Sequence, residues 1–216
     1  VDQRTGGRNT RGIGRRIDAG RMDPAPLQAA AGDIAHEAER ATAVMSRIRD
    51  FARRRQVTRE PLAVASAVQE AARVFEGAVR DAPAVRVEFE LDASATVLGD
   101  RLQLEQLMLN LIKNAYDATR GVSGRTPTVR VRCERTDDEV RVCVIDNGVG
   151  LAPEAARRMF EPFFSTKPDG LGLGLALARR VVEAHGGRLW AEPAPRGPGL
   201  CVCFTLPLAE ELVDVM

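Results

Sequence analysis

The chain has 216 residues, 44% of them hydrophobic, which suffices for one ordinary core with a small helical element left over. Its 31 basic residues face 30 acidic ones, a balance that creates no field to gather nucleic acid, so no nucleic-acid partner is expected. The longest apolar runs fall far short of a membrane span and no secretory leader is recognisable, so a cytoplasmic chain without a membrane segment is expected. It begins with Val rather than Met, as a fragment or an alternative start would.

Residues 1–26 hold six Arg and many Gly with no sustained period, and read as a disordered leader. From 27 to about 54 the pattern turns helical, with Ile34, Ala41 and Ile48 seven apart and Ala38 and Met45 between them. Acidic residues cluster at 33–39 and basic ones at 47–54, which suits the dipole of a single helix. A narrow apolar stripe on a lone helix needs a partner helix. Pro61 marks the end of this 27–60 segment, and residues 61–216 read as the main domain.

Within that domain, 62–77 reads as a helix with Val64, Val68, Ala72 and Phe75 along one side. Alternation over 86–91 and the shorter run 95–98 predict strands, and 101–119 a long helix. Residues 128–134 and 139–145 pair naturally as a hairpin that delivers Asp146 at a strand end. A short helix over 153–160, a helix from 173 to 184 closed by Gly186-Gly187, and strands over 188–191 and 200–206 complete the chain. These elements predict an α/β (α+β) two-layer sandwich, a mixed sheet with helices on one face, preceded by a long helix. Cys133, Cys143, Cys201 and Cys203 follow no metal spacing and sit in strand-like stretches, so they are expected as reduced sheet residues. Cys201 and Cys203, two apart on one strand, are not placed to bridge each other comfortably.

Only two lysines occur beside 29 arginines, Lys113 and Lys167. Where Arg meets every other need for positive charge, a compact ammonium at these two places points to phosphate or metal-bound oxygens. Lys113 lies in Asn110-Leu111-Ile112-Lys113-Asn114-Ala115-Tyr116-Asp117-Ala118, and Lys167 ends Phe160-Glu161-Pro162-Phe163-Phe164-Ser165-Thr166-Lys167. Between and after these stretches come Asp146-Asn147-Gly148-Val149-Gly150 and Gly170-Leu171-Gly172-Leu173-Gly174-Leu175. Asn110 and Asn114 are four apart, hence one above the other on a helix, each offering an amide carbonyl. Gly170, Gly172 and Gly174 stand at a helix start, where backbone N–H groups and the positive helix end receive phosphate oxygens. The spacing is neither that of the Walker loop nor that of the dinucleotide fingerprint.

This series of four motifs resembles the catalytic ATP-binding domain of sensor histidine kinases, related to DNA gyrase, the heat-shock chaperone ATPase and mismatch-repair ATPases. The segment 27–54, with Glu39-Arg40-Ala41 and Arg47-Ile48-Arg49-Asp50-Phe51, resembles the second helix of that family's dimerisation hairpin. The resemblance implies ATP and Mg²⁺ as cofactors, with Asn114 as the metal ligand and Asn110 beside it near the phosphates. It places Asp146 on the adenine amine, with Gly148 and Gly150 opening the turn beneath the base. It implies Lys167 as a γ-phosphate contact and Lys113 as a weaker candidate, with Gly170, Gly172 and Gly174 forming the phosphate loop. Hydrolytic relatives carry a Glu where this chain has Asn110, and an amide cannot accept a proton, so phosphoryl transfer to another nucleophile is implied rather than hydrolysis. Asn110 and Lys167 are therefore the expected catalytic residues.

The partner so implied is the receiver domain of a response regulator, with a homodimer through helix 27–54 if enough of the hairpin is present. His36-Glu37 looks like an acceptor pair, yet it lies in the segment resembling the second helix, lacks the usual downstream Pro and stands only 74 residues before Asn110. His36 is therefore expected as an ordinary helix residue, with the acceptor outside this chain, and His185 as a helix-end residue. The alternatives are a non-catalytic nucleotide-binding or regulator-binding module and a Ser/Thr kinase of the anti-sigma type.

Overall fold

A computed structural model of the chain describes residues 59–79, 85–120, 122, 124–167 and 170–209, together with 28–29, 31–35, 38 and 45. The chain divides into two units, residues 1–54 with 167–170, and residues 55–166 with 171–216. In the smaller unit the described residues 28–29, 31–35, 38 and 45 are helical, with Ile34 and Met45 exposed. The leader 1–26, most of the stripe expected over 27–54, and His36 lie outside the described residues.

The larger unit opens with a strand where a linker and the start of a helix are expected. Strand β1 (Glu60–Ala63) pairs antiparallel with β3 (Thr96–Gly99), Leu62 opposite Val97, in a two-stranded sheet of its own. Helix α1 (Val64–Ala78) therefore begins two residues later than its apolar period indicates. The Val64 N–H donates to the Ala95 carbonyl at 2.9 Å, which turns the chain from strand into helix. Helix α2 (Arg101–Thr119) starts at Asp100, whose Oδ1 accepts the Gln103 N–H at 3.1 Å and satisfies one of the orphan donors. Its buried stripe, Leu104, Leu107, Met108, Leu111, Ile112, Ala115 and Tyr116, recurs every three or four residues. Tyr116 meets Phe75 of α1 edge to face, ring centroids 5.2 Å apart.

The main sheet contains β2 (Arg86–Leu91), β4 (Thr128–Arg135), β5 (Glu139–Asp146), β6 (Arg188–Pro193) and β7 (Leu200–Pro207), in the order β2-β4-β5-β7-β6. Only β2 and β4 run parallel, so the sheet is mixed. Alternation along β4, β5 and β7 sends Val129, Val131, Val140, Val142, Val144, Phe204 and Leu206 into the core with α1, α2 and α4 (Gly174–Ala184). Each such side chain contributes roughly 1.5–3 kcal/mol through burial. The opposite face carries ion pairs from β2 to β4, Glu88 to Arg130 at 2.6 Å and Glu90 to Arg132 at 2.8 Å. A short helix α3 (Pro153–Arg158) precedes the Phe-rich segment. No helix among the described residues is long and apolar enough to cross a membrane.

Two of the four cysteines depart from the expected reduced state. Cys133 and Cys201 are free and buried, and burial pushes each thiol up to about 11. Cys143 and Cys203, however, are joined as a disulfide. They stand directly opposite each other on β5 and β7 with Cα atoms 4.1 Å apart, and sequence spacing carries no information about that cross-strand register.

Candidate nucleotide site

The site is built where α2, the end of β5 and the start of α4 meet. Asn110 and Asn114 occupy successive turns of α2, both half-buried, while Lys113 between them is exposed. The Asn110 Nδ2 donates to the Gly174 carbonyl at 2.6 Å, tying the long helix to the first residue of α4. A Cβ at position 174 would lie 2.7 Å from the Asn110 Oδ1, so only glycine lets the two elements approach this closely. Among the described residues the Asn114 side chain has no hydrogen-bond partner, which leaves its amide carbonyl open.

Asp146 is buried at the end of β5. Its Oδ1 accepts the Gly148 N–H at 2.8 Å and the Leu200 N–H at 3.3 Å. Burial raises its pKa, and the two N–H donors pull it back only in part. Both donors use Oδ1, so among the described residues Oδ2 stays available to a further donor. The turn that follows packs on the last turns of α2, where a Cβ at Gly148 would collide with the Ala118 carbonyl. Gly150 then adopts the left-handed conformation at φ +71.

Several residues that build this corner are absent from the expected set. The Asn147 Oδ1 accepts the Thr128 N–H at 2.9 Å while its Nδ2 donates to the Thr126 carbonyl at 2.8 Å, pinning the turn to the start of β4. The Arg125 guanidinium donates to the Gly148 carbonyl at 2.9 Å. Leu200 reaches Asp146 from β7, and a Cβ at Gly199 would collide with the Asp146 carbonyl. Asn147 was legible as part of an Asp-Asn-Gly turn, but Arg125 and Leu200 act through contacts that only the folded register creates.

Beyond α3 the chain reverses at Phe163, a non-glycine residue at φ +65 whose N–H donates to the Gly172 carbonyl at 3.0 Å. Gly172 is left-handed at φ +66, and a Cβ there would collide with the backbone of Phe163 and Phe164. Phe163 is 68% exposed, whereas Phe160 packs against the core and Phe164 lies under the Arg158 guanidinium at 4.5 Å. Helix α4 starts at Gly174 without a side-chain cap, so its first N–H groups are open to an anion. Lys167 and Gly170 belong to the smaller unit, both exposed, the Gly170 N–H donating to the Lys167 carbonyl at 3.1 Å.

Helices packed on one face of a mixed five-stranded sheet define the class as a two-layer α/β sandwich. More closely, the chain belongs to the histidine kinase-, DNA gyrase B-, and HSP90-like ATPase family, which it matches over residues 99–210. It is 36% identical over 200 residues to the sensor protein FixL of Bradyrhizobium diazoefficiens, covering 91% of this chain and 39% of FixL. Among solved structures, histidine kinase ThkA in complex with response regulator protein TrrA superposes with a TM-score of 0.71 at 27% identity, over 93% of this chain and 57% of that one. Full-length ShkA in complex with AMPPNP aligns at a TM-score of 0.67 and 26% identity, over 85% of this chain and 38% of ShkA. The chain spans less than half the length of the curated relatives it matches.

Proposed function

We propose that this chain is the catalytic part of a sensor histidine kinase in a two-component phosphorelay, binding ATP with Mg²⁺ and passing its γ-phosphoryl group to a histidine and thence to a response-regulator aspartate. The observation that carries this reading is the Asn110–Gly174 hydrogen bond, with Asn114 open one helical turn further on. It holds the amide helix and the glycine-rich helix start together, and an amide at position 110, unlike the Glu of hydrolytic relatives, cannot act as a base.

In this reading the Asp146 Oδ2 accepts the exocyclic amine of adenine, and Gly148 and Gly150 keep the floor beneath the base free of Cβ atoms. Gly172 and Gly174, with the first N–H groups of α4, receive phosphate oxygens, and Lys113 supplies positive charge to them. The Asn114 carbonyl holds Mg²⁺, an oxygen-seeking ion that neutralises phosphate charge when bound. An amide ligand does so without repelling the phosphates as a carboxylate would. Catalysis is then placement and charge neutralisation around the phosphoryl group. The receiver domain of a response regulator is the partner, the 27–54 segment is the dimerisation helix, and the chain works on the cytoplasmic side. ThkA, solved with a response regulator, and ShkA, solved with a nucleotide analogue, support this reading.

The test is transfer of label from γ-labelled ATP to a separately supplied dimerisation hairpin that carries the acceptor histidine. Label should appear on the hairpin, depend on Mg²⁺ and vanish in Asn114→Asp. It should be unchanged in His36→Gln. Nucleotide bound with no label passed on would instead make the chain a non-catalytic binding module.

A further inference from the structure

Three of the four cysteines converge on the sheet face turned away from the helices. Cys143 on β5 is paired with Cys203 on β7, and the Cys201 Sγ lies 3.3 Å from the Cys203 Sγ. All three sulfurs fall within 4.8 Å of one another. Spacing along the chain conceals this, because the group is assembled across two strands whose cysteines are 60 residues apart. The rest of the proposed nucleotide chemistry makes no use of it.

We propose that, once a dithiol reductant has opened the Cys143–Cys203 disulfide to two thiols and itself closed to a disulfide, Cys143, Cys201 and Cys203 form a three-sulfur site for Cu(I). The three sulfurs are close enough to share one ion once the bridge is open, since bonds of about 2.3 Å to each sulfur keep every pair within roughly 4.6 Å. Thiolates select soft cations, chiefly Cu(I) and Zn²⁺. Structural Zn²⁺ takes four ligands, and among the described residues only the three sulfurs gather within 4.8 Å of one another, the Glu192 carboxylate opposite Cys201 on β6 lying outside that group. Three sulfurs are a complete set for Cu(I). Loading releases three thiol protons to solvent and leaves the oxidation state of the metal unchanged. The three thiolates and one cation together carry two negative charges, and two guanidiniums flank them. Arg132 stands opposite Cys143 on β4, and Arg141 precedes Cys143 by two residues on the same face. Arg141 also stacks over the Trp190 ring at 5.6 Å, and Trp190 stands opposite Cys203 on β6. Cys201 and Cys203 are almost fully buried, which shields a bound ion from water and oxidant.

The experiment uses the full chain, reduced and anaerobic, titrated with Cu(I) against the colorimetric chelator bicinchoninate, with X-ray absorption at the copper edge. The expected result is one equivalent withdrawn from the chelator and a shell of three sulfur neighbours. Cys201→Ser should weaken retention by at least tenfold, while Cys133→Ser should leave it unchanged. Because a serine in a buried strand can unfold the sheet, Cys201→Ala serves as a second variant, with circular dichroism verifying its fold. No copper withdrawn by the folded, reduced wild type would overturn the proposal. So would full retention in a folded Cys201→Ala chain, a two-sulfur shell, or a preference for Zn²⁺ in the same competition. The chain kept oxidised should take none, and equal uptake in that state would also contradict the assignment.

Discussion

At Asp146 the fold and the ligand make opposing demands. Burial favours the neutral acid and raises the Asp146 pKa, whereas accepting an amine hydrogen requires the carboxylate. Affinity for an adenine nucleotide should therefore start to fall at a pH above the ordinary aspartate value as the solution is acidified, which a titration of Kd against pH would reveal. A carboxyl whose folded pKa is raised makes the fold relatively less stable once pH rises through it. Asp146→Asn, which keeps an oxygen for the Gly148 and Leu200 N–H groups, is thus expected to raise Tm at neutral pH while weakening nucleotide binding roughly tenfold or more. A Tm below that of the wild type would refute this account of the conflict. Gly172→Ala places a Cβ on a left-handed backbone and against the Phe163–Phe164 peptide, so phosphoryl transfer should be lost with the protein still folded. At this scale Asn110, Asn114, Asp146, Gly148, Gly172 and Gly174 were legible as candidates because they lie within short motifs. Arg125 and Leu200 were not, since each acts on the Asp146 turn from a strand or loop distant in the chain.

Among elements, α2 and α4 must keep their relative position for Asn110 to reach Gly174, and His185 secures their far ends. This histidine is the C-cap of α4, where its Nδ1 lies 2.7 Å from the Val181 carbonyl and its Nε2 accepts the N–H of Asp100, the N-cap of α2, at 3.0 Å. That pattern requires a neutral ring with the proton on Nδ1, and burial lowers its pKa. A histidine whose folded pKa is lowered leaves stability intact above the unfolded value. Stability is then lost as pH falls through that value, because the unfolded state takes up the proton first. His185→Gln, which can still accept from Asp100, should flatten the acid-side decline in Tm. His185→Ala should cost about 2–3 kcal/mol in denaturant unfolding through unpaired polar groups and lost packing. A wild-type decline undiminished in the Gln variant would assign it to other groups. Apolar periodicity made the helices and the β4–β5 hairpin legible, since each is a local pattern. Strand β1 was not, because four residues containing Pro61 become a strand only by pairing with β3, more than 30 residues away. The Cys143–Cys203 bridge escaped for the same reason.

For the molecule as a whole, β1 and the residue before it tie α2 to α4 at the ends remote from the candidate nucleotide corner. Arg59 donates to the Ala184 carbonyl at the end of α4 at 2.8 Å, and Glu60 faces Arg101 at the start of α2 at 3.8 Å. Leu62, 1% exposed, plugs this entry strand into the core. Leu62→Ala is expected to cost about 2–5 kcal/mol in denaturant unfolding, and a loss below about 1 kcal/mol would mean that β1 is a dispensable appendage. The measurement closest to the central claim is calorimetric titration of the folded chain with AMPPNP in the presence of Mg²⁺. The account predicts one equivalent bound by the wild type, with binding abolished or severely weakened in both Asn114→Asp and Asp146→Asn. A well-folded wild type that releases no binding heat at any temperature tried, or variants that bind as tightly as the wild type, would contradict it.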